Sequence, residues 1–249
     1  MATGKINALD QFELHTVLGP VGASVNFTQS NLVMVVGAAL LLLLLVRGMK
    51  PRALVPGRFQ SVMEVAYTGI LSLTTTNIGP EGRRFFPFVF TLFFFVLMGN
   101  VLGLVPFTFT YTSEIAVTFG LALMVIVLVT VVALANHGLH FFSYFFPQGA
   151  PVLLAPLIVP IEIISYLSRP VSLSIRLFAN MVAGHVMLAV FATFIVLMGS
   201  AGGVGLVGAL FPLALNVVLI GFELLVAALQ AYVFAVLTCI YLHDAVHLH

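Results

Sequence analysis

The sequence predicts an all-α polytopic membrane protein with about five membrane-crossing helices, a surface amphipathic helix, and a long, strongly tilted helical hairpin at its end. Of its 249 residues, 61% are hydrophobic and 7% are charged, whereas roughly a quarter of the residues in a soluble domain are charged. Residues 85–249 carry only six formal charges. Because unpaired backbone groups are costly in hydrocarbon, the embedded part must be helical despite its many Phe and Val residues.

The first apolar run predicts a transmembrane helix over residues 28–47 that is retained in the protein. It is followed by four basic residues, Arg47, Lys50, Arg52 and Arg58. A secretory signal carries its positive charges before the apolar run, and no small-residue cleavage pattern is evident here. By the positive-inside rule this basic cluster is cytoplasmic, and the N-terminus lies outside.

Two further elements are predicted before the middle of the chain. Residues 57–82 contain Glu64 and several Ser and Thr among apolar residues at mixed spacing, which favours an amphipathic helix along the inner membrane surface. Arg83 and Arg84 then mark the cytoplasmic start of a transmembrane hairpin over residues 85–135. An aromatic loop with Gly and Pro follows it.

Residues 151–246 predict a second and much longer hairpin. The apolar pattern from Pro160 to Gly199 corresponds to a helix of roughly 58 Å, about twice the hydrocarbon thickness. Such a helix either breaks or tilts strongly, and Pro170 could kink it by removing a backbone hydrogen bond. Several glycines between residues 199 and 205 interrupt the pattern, and a second long run returns to about Leu242.

Arg176 is the most informative side chain because it lies inside this apolar stretch. A charge at membrane depth costs about 3 kcal/mol on insertion scales, so it is kept where a bundle, a cavity or a partner receives it. A structural ion pair within the bundle is the plain alternative to a functional role.

A register test assigns the polar residues of the hairpin to pairs. If two antiparallel helices turn near residue 203, the residue numbers of any two facing side chains add up to about the same total. The facing pairs are then Glu162 with Asp244, Arg176 with Gln230, and His185 with Glu223. Seven-residue spacing also keeps side chains near one face, as in Glu162, Arg169 and Arg176. His185 lies nine residues after Arg176, about half a turn away, so its pairing is the weakest of the three.

These residues suggest a proton path that is interrupted by a permanent cation. The carboxyl and imidazole groups of Glu162, His185, Glu223 and Asp244 can exchange protons, whereas a guanidinium stays protonated throughout biological pH. A continuous proton path would dissipate the membrane potential. Two half-paths on either side of Arg176 instead require a moving carrier, and a carboxylate on a partner subunit is the obvious one.

At these residues the sequence resembles subunit a of the membrane sector of F-type ATP synthases, most closely its alphaproteobacterial and mitochondrial branch. The similarity spans nearly the whole chain. The segments that carry it are Leu9-Asp-Gln-Phe-Glu13, Ser172-Leu-Ser-Ile-Arg-Leu-Phe-Ala-Asn-Met-Val-Ala-Gly-His185, Glu223, Gln230-Ala-Tyr-Val-Phe234 and Tyr241-Leu-His-Asp-Ala-Val246. One departure is Glu114, where many relatives have histidine.

The resemblance implies a stator subunit that couples proton flow to ring rotation and ATP synthesis. Arg176 would face the carboxylates of the rotating c-ring, with Asn180 and Gln230 beside it. The resemblance further implies that His185 and Glu223 line the half-channel from the periplasmic or intermembrane side. It implies partners in the c-ring and the b-type subunits of the peripheral stalk, and a multi-pass location in the bacterial inner membrane, with the mitochondrial inner membrane second. The remaining two carboxyl groups, Glu162 and Asp244, would belong to the opposite half-channel.

Plainer interpretations and other function classes remain open at this point. Asn180 and Gln230 could merely hydrogen-bond between helices, Glu223 and His185 could satisfy one another, Glu162 and Asp244 could be solvated, and Arg169 could snorkel to the surface. The C-terminal His243 and His247 have metal-ligand spacing, although a solvated tail is the simpler interpretation.

A secondary transporter would usually show internal repeats, and no convincing repeat is evident in the sequence. A purely structural subunit would tolerate the replacement of Arg176 without loss of proton flux. No phosphate-binding Gly-rich loop is present in the sequence, so the chain is not expected to bind ATP or another cofactor. A net charge of +1 gives no indication of a nucleic-acid partner. The sparse polar groups offer few oxygen ligands, which favours protons over sodium as the transported ion.

Overall fold

The computed structural model describes residues 16–18, 27–49, 57–105, 108, 110–138, 141, 154–200 and 202–247. A short antiparallel ribbon pairs β1 (Thr16–Leu18) with β2 (Phe27–Thr28). Six helices make up nearly all the rest of the described chain. They are α1 (Gln29–Met49), α2 (Arg58–Ile78), α3 (Gly82–Gly103), α4 (Ile115–His137), α5 (Ala155–Gly199) and α6 (Gly203–Val246).

Five of these helices are long and apolar enough to cross a membrane, namely α1, α3, α4, α5 and nearly all of α6. The exception within the described residues is α2, which was predicted as the surface helix. The prediction of an all-α polytopic membrane protein is therefore confirmed. Most of the predicted aromatic loop after His137, and the first residues of the predicted 151–246 hairpin, lie outside the described residues.

The second helix packs its C-terminal half against α3 and α6. Ile70, Thr74 and Ile78 form its buried face, while its N-terminal half is largely exposed. Gly79 ends the helix with a φ of 93°, a left-handed conformation that glycine adopts without a Cβ penalty. The chain then turns sharply into α3.

The core lies where α3, α4, α5 and α6 meet. Val89 and Val96 of α3, Val125 of α4, Leu177 of α5 and Phe234 of α6 are almost completely buried there. The outer faces of the same helices carry many exposed Leu, Val, Ile and Phe side chains. That distribution fits helices that bury one stripe against each other and present the other side to lipid.

The last two helices form a hairpin of unusual length. α5 contains 45 residues, which at 1.5 Å per residue is about 67 Å. Pro160 and Pro170 both lie inside α5 without ending it, so of the two predicted alternatives, a break or a strong tilt, the break does not occur. Gly202, with a φ of 91°, makes the turn into α6.

Candidate functional site

The guanidinium of Arg176 lies on an exposed face of α5. The neighbouring Ile175 is also exposed, at 49%, whereas Leu177 is buried. Among the described residues, Arg176 has no hydrogen-bond or ion-pair partner. The helix therefore presents a cation outward from a segment that is apolar enough to span a membrane.

Asn180 and Gln230 form a direct link between α5 and α6. The Asn180 amide Nδ2 donates to Gln230 Oε1 at 2.9 Å. Gln230 is 3% exposed, and its Nε2 donates to no described group. The register test had paired Gln230 with Arg176, so this pairing differs from the prediction by one helical turn of α5. The amide pair lies next to Arg176 without holding it.

His185 and Glu223 come together as the register test predicted. Nε2 of His185 lies 3.9 Å from Oε1 of Glu223, and the Glu223 residue is 5% exposed. Gly184 makes this approach possible, since a Cβ at that position would lie 2.5 Å from Glu223 Oε1. The pair that helical spacing supported least is thus the one pair of the three that the structure forms.

A short polar segment between α3 and α4 also reaches this pair. Thr110 Oγ1 lies 2.9 Å from His185 Nε2, and Thr112 Oγ1 donates to Asn100 Oδ1 at 2.9 Å. Sequence reasoning missed these residues. The available signal was the small-xxx-small pattern of Gly99 and Gly103 at the end of α3, which permits close approach of another backbone. We call Thr110, His185 and Glu223 the turn-side cluster.

A second polar cluster lies farther from the hairpin turn. Arg169 Nη1 donates to Asp244 Oδ2 at 3.3 Å. The Arg169 guanidinium also lies 5.6 Å from the centre of the Tyr166 ring and 5.1 Å from that of Tyr241, within the range of cation–π attraction. We call Tyr166, Arg169, Tyr241 and Asp244 the end-side cluster.

The end-side cluster corrects two predictions. Asp244 was paired with Glu162, and Arg169 was expected to snorkel to the surface. Instead Arg169 turns inward to Asp244, with only 21% of its side chain exposed. A partly buried cation gains more from a carboxylate and two aromatic faces than from a position at the membrane surface. Glu162 is half-buried one heptad before Arg169 and has no ion-pair partner among the described residues.

Two C-terminal histidines flank Asp244 in the sequence. The rings of His243 and His247 stack with their centroids 4.7 Å apart. Within the described residues, no group of three or more potential metal ligands is present. These two side chains therefore contribute a ring contact at the end of α6.

The arrangement separates two sets of polar groups along one helix. His185 lies nine residues after Arg176 and Arg169 lies seven residues before it, which corresponds to about 14 Å and about 11 Å along α5. The imidazole and carboxyl groups on one side and the carboxyl groups on the other can exchange protons, whereas Arg176 cannot.

Comparison with known proteins identifies the family. The model of the ATP synthase A chain family matches residues 31–243. ATP synthase subunit a of Granulibacter bethesdensis is 69% identical over 98% of both chains, and that of Gluconacetobacter diazotrophicus is 60% identical over 99% of both. The protein of the same name from Rhodospirillum rubrum is 49% identical over 92% of both chains. The chain therefore belongs to the ATP synthase subunit a family, whose members are proton-translocating subunits of the membrane sector without a catalytic site of their own.

Proposed function

We propose that this chain is the stator part of the proton path, forming two offset half-channels that load and unload carboxylates on a rotating c-ring. The observation that carries the proposal is the position of Arg176. It is an exposed cation between the turn-side cluster and the end-side cluster on the same helix. Proton-exchanging groups thus lie on both sides of a group that cannot release its proton.

The turn-side cluster supports one half-channel. His185 Nε2 and Glu223 Oε1 lie 3.9 Å apart, so a side-chain shift of about 1 Å would bring them within hydrogen-bond reach for proton exchange. The polar segment around Thr110 lies beside them. By the positive-inside rule, the loop between α3 and α4 and the turn between α5 and α6 lie outside. This half-channel would therefore open to the periplasmic side.

Glu162 and Asp244 support the opposite half-channel. Both are on the other side of Arg176, near the start of α5 and the end of α6. The positive-inside rule puts these ends on the cytoplasmic side. Asp244 is held by Arg169, so Glu162 is the less constrained proton carrier of the two.

A ring carboxylate is the partner that the exposed face of Arg176 fits best. Beside the guanidinium such a carboxylate is favoured in its ionised form, so it would release its proton there. At about 4 Å and an effective dielectric near 20, the attraction is roughly 4 kcal/mol. Moving one charge through about 100 mV supplies roughly 2.3 kcal/mol, which is comparable, so the ring would not be trapped.

We also propose a location, a set of partners and a transported ion for this chain. The similar proteins named above come from bacteria, which supports the bacterial inner membrane as the location. The partners would be the c-ring, b-type subunits of the peripheral stalk, and lipid. Protons are proposed over sodium because few oxygen ligands are brought together. Sodium-dependent ATP synthesis that resists a protonophore would exclude this choice.

The test is proton-driven ATP synthesis in membrane vesicles that carry Arg176→Gln, with the amount of assembled complex measured in the same preparation. We expect synthesis per assembled complex to fall by roughly 100-fold or more, because most of the attraction for the ring carboxylate is lost. Arg84→Gln is the matched control, since it removes an exposed arginine outside the hairpin formed by α5 and α6. Normal synthesis with Arg176→Gln would leave the arginine as a structural charge.

A further inference from the structure

The buried hydroxyl of Thr110 is aimed at an ionisable side chain 75 residues away. Thr110 is 5% exposed, and its Oγ1 lies 2.9 Å from His185 Nε2. Another buried threonine, Thr238, bonds instead to the carbonyl four residues earlier in its own helix. A helical threonine satisfies its hydroxyl locally in this way, whereas Thr110 uses a side chain of α5.

Two glycines near the end of α3 make room for Thr110 and the residue after it. A Cβ at Gly103 would overlap the Thr110 side chain, and a Cβ at Gly99 would overlap the ring of Tyr111. Tyr111 in turn donates its hydroxyl to Phe95 O at 2.7 Å. The two glycines therefore leave the space in which this segment packs against α3.

The backbone around Thr110 is fixed as well. Both the amide and the hydroxyl of Ser113 donate to Thr110 O, at 3.0 Å and 2.6 Å. Thr112 donates to Asn100 Oδ1, and Asn100 Nδ2 donates to Ala227 O at 3.2 Å. Ala227 lies one helical turn after Glu223. The segment is thus tied to α3 and to the part of α6 that carries the carboxyl group.

We propose that Thr110 is a positioning residue for His185, which holds the imidazole so that Nε2 faces Glu223. The same nitrogen that meets the Thr110 hydroxyl lies 3.9 Å from Glu223 Oε1. A hydroxyl both donates and accepts a hydrogen bond. Thr110 can therefore donate to a bare Nε2 and accept from a protonated one, and it supports the ring before and after a proton is transferred.

This inference rests on the proposed role of His185 and Glu223 in the proton path. It adds a requirement that the role alone does not contain, namely a hydroxyl at residue 110. The segment between α3 and α4 becomes part of the transfer machinery, because it sets the orientation of a group on α5.

The experiment compares Thr110→Val, Thr110→Ala and Thr110→Ser by proton-driven ATP synthesis per assembled complex. Valine keeps the shape and removes the hydroxyl, alanine removes the whole group, and serine keeps the hydroxyl alone. We expect valine and alanine to lower the rate by about five- to tenfold, the factor that corresponds to one net hydrogen bond. Serine should restore at least half of the wild-type rate.

Thr238→Val is the matched control, because it removes a buried hydroxyl that bonds within its own helix; its rate should stay near that of the wild type. If Thr110→Val does not assemble, the serine and alanine variants still differ at the hydroxyl, and their ratio decides the question. Equal rates for serine and alanine, or unchanged rates for all three variants, would overturn the inference.

A separate variant distinguishes this outcome from failure of the proposed function. His185→Gln is expected to lower synthesis strongly. If it does so while the Thr110 variants do not, only the positioning role is wrong. If His185→Gln has no effect, the proposed half-channel itself is wrong, and the positioning role falls with it.

Discussion

The turn-side and end-side clusters each contain one carboxyl group, and its surroundings differ between the two. On the turn side, Glu223 is 5% exposed, and its carboxyl oxygens accept no hydrogen bond from a described group. On the end side, Asp244 is bound by Arg169, and the guanidinium is further held by two aromatic rings. Among the described residues, the Asp244 carboxyl thus has a permanent cation as its partner, whereas the Glu223 carboxyl has only the imidazole of His185.

One hairpin thus holds two carboxyl groups in two different environments. A carboxylate paired with arginine links the ends of α5 and α6. A buried carboxyl beside an imidazole leaves proton occupancy open. The two clusters should therefore respond differently to the same chemical change.

Neutralising the two carboxyl groups is the strongest test of this comparison. Glu223→Gln should lower proton-driven ATP synthesis by roughly 100-fold, as is typical when a general acid–base group is removed. Asp244→Asn should lower it by about fivefold or less, because Arg169 binds this carboxyl and Glu162 remains as a proton carrier on the same side. Synthesis in vesicles, normalised to assembled complex, measures both. A larger effect of Asp244→Asn would reverse the assignment of the two clusters.

Gly184→Ala tests the turn-side cluster without changing an ionisable group. The new Cβ would lie 2.5 Å from Glu223 Oε1, so the carboxyl must leave its present position relative to His185. We expect a roughly tenfold loss of synthesis, since small misplacements of reacting groups are costly. Gly120→Ala in α4 is the control, because its Cβ would meet nothing within 4 Å. Equal behaviour of the two variants would show that the close approach of Glu223 to α5 is unimportant.

Removing both partners of the end-side ion pair should be milder than removing either one. Arg169→Gln and Asp244→Asn each leave one charge unpaired, whereas the double variant leaves none. We expect a coupling of about 1–2 kcal/mol between the two changes. The measurement is the thermal midpoint of the solubilised complex for both single variants and the double variant. Strictly additive shifts would mean that the contact contributes nothing to holding the hairpin ends together.

Much of the candidate site could be predicted because its signals are local. The length and apolar character of each run predicted the five spans and the hairpin, and the cost of embedded charge singled out Arg176. Each of these signals is contained within one helix, so no knowledge of its neighbours is needed.

The pairings between helices were harder to predict, and their errors grow with distance from the turn. The partner of Glu223 is the predicted His185. Gln230 pairs four residues closer to the turn than predicted, and Asp244 pairs seven residues closer. The numbers of two facing residues keep the same total only if both helices are straight and stay side by side along their whole length. Because α6 uses more residues than α5 to reach the same contact, the two helices do not keep that geometry.

An all-helical membrane protein, a long terminal hairpin, and an arginine with proton-exchanging residues on both sides can all be recognised in the sequence alone. These features follow from hydropathy, periodicity and charge along the chain. The contacts of Arg169 with Asp244 and of Thr110 with His185 emerge only when the helices are packed together. Both contacts join residues 75 positions apart, and they depend on how helices cross and on where glycine permits a close approach.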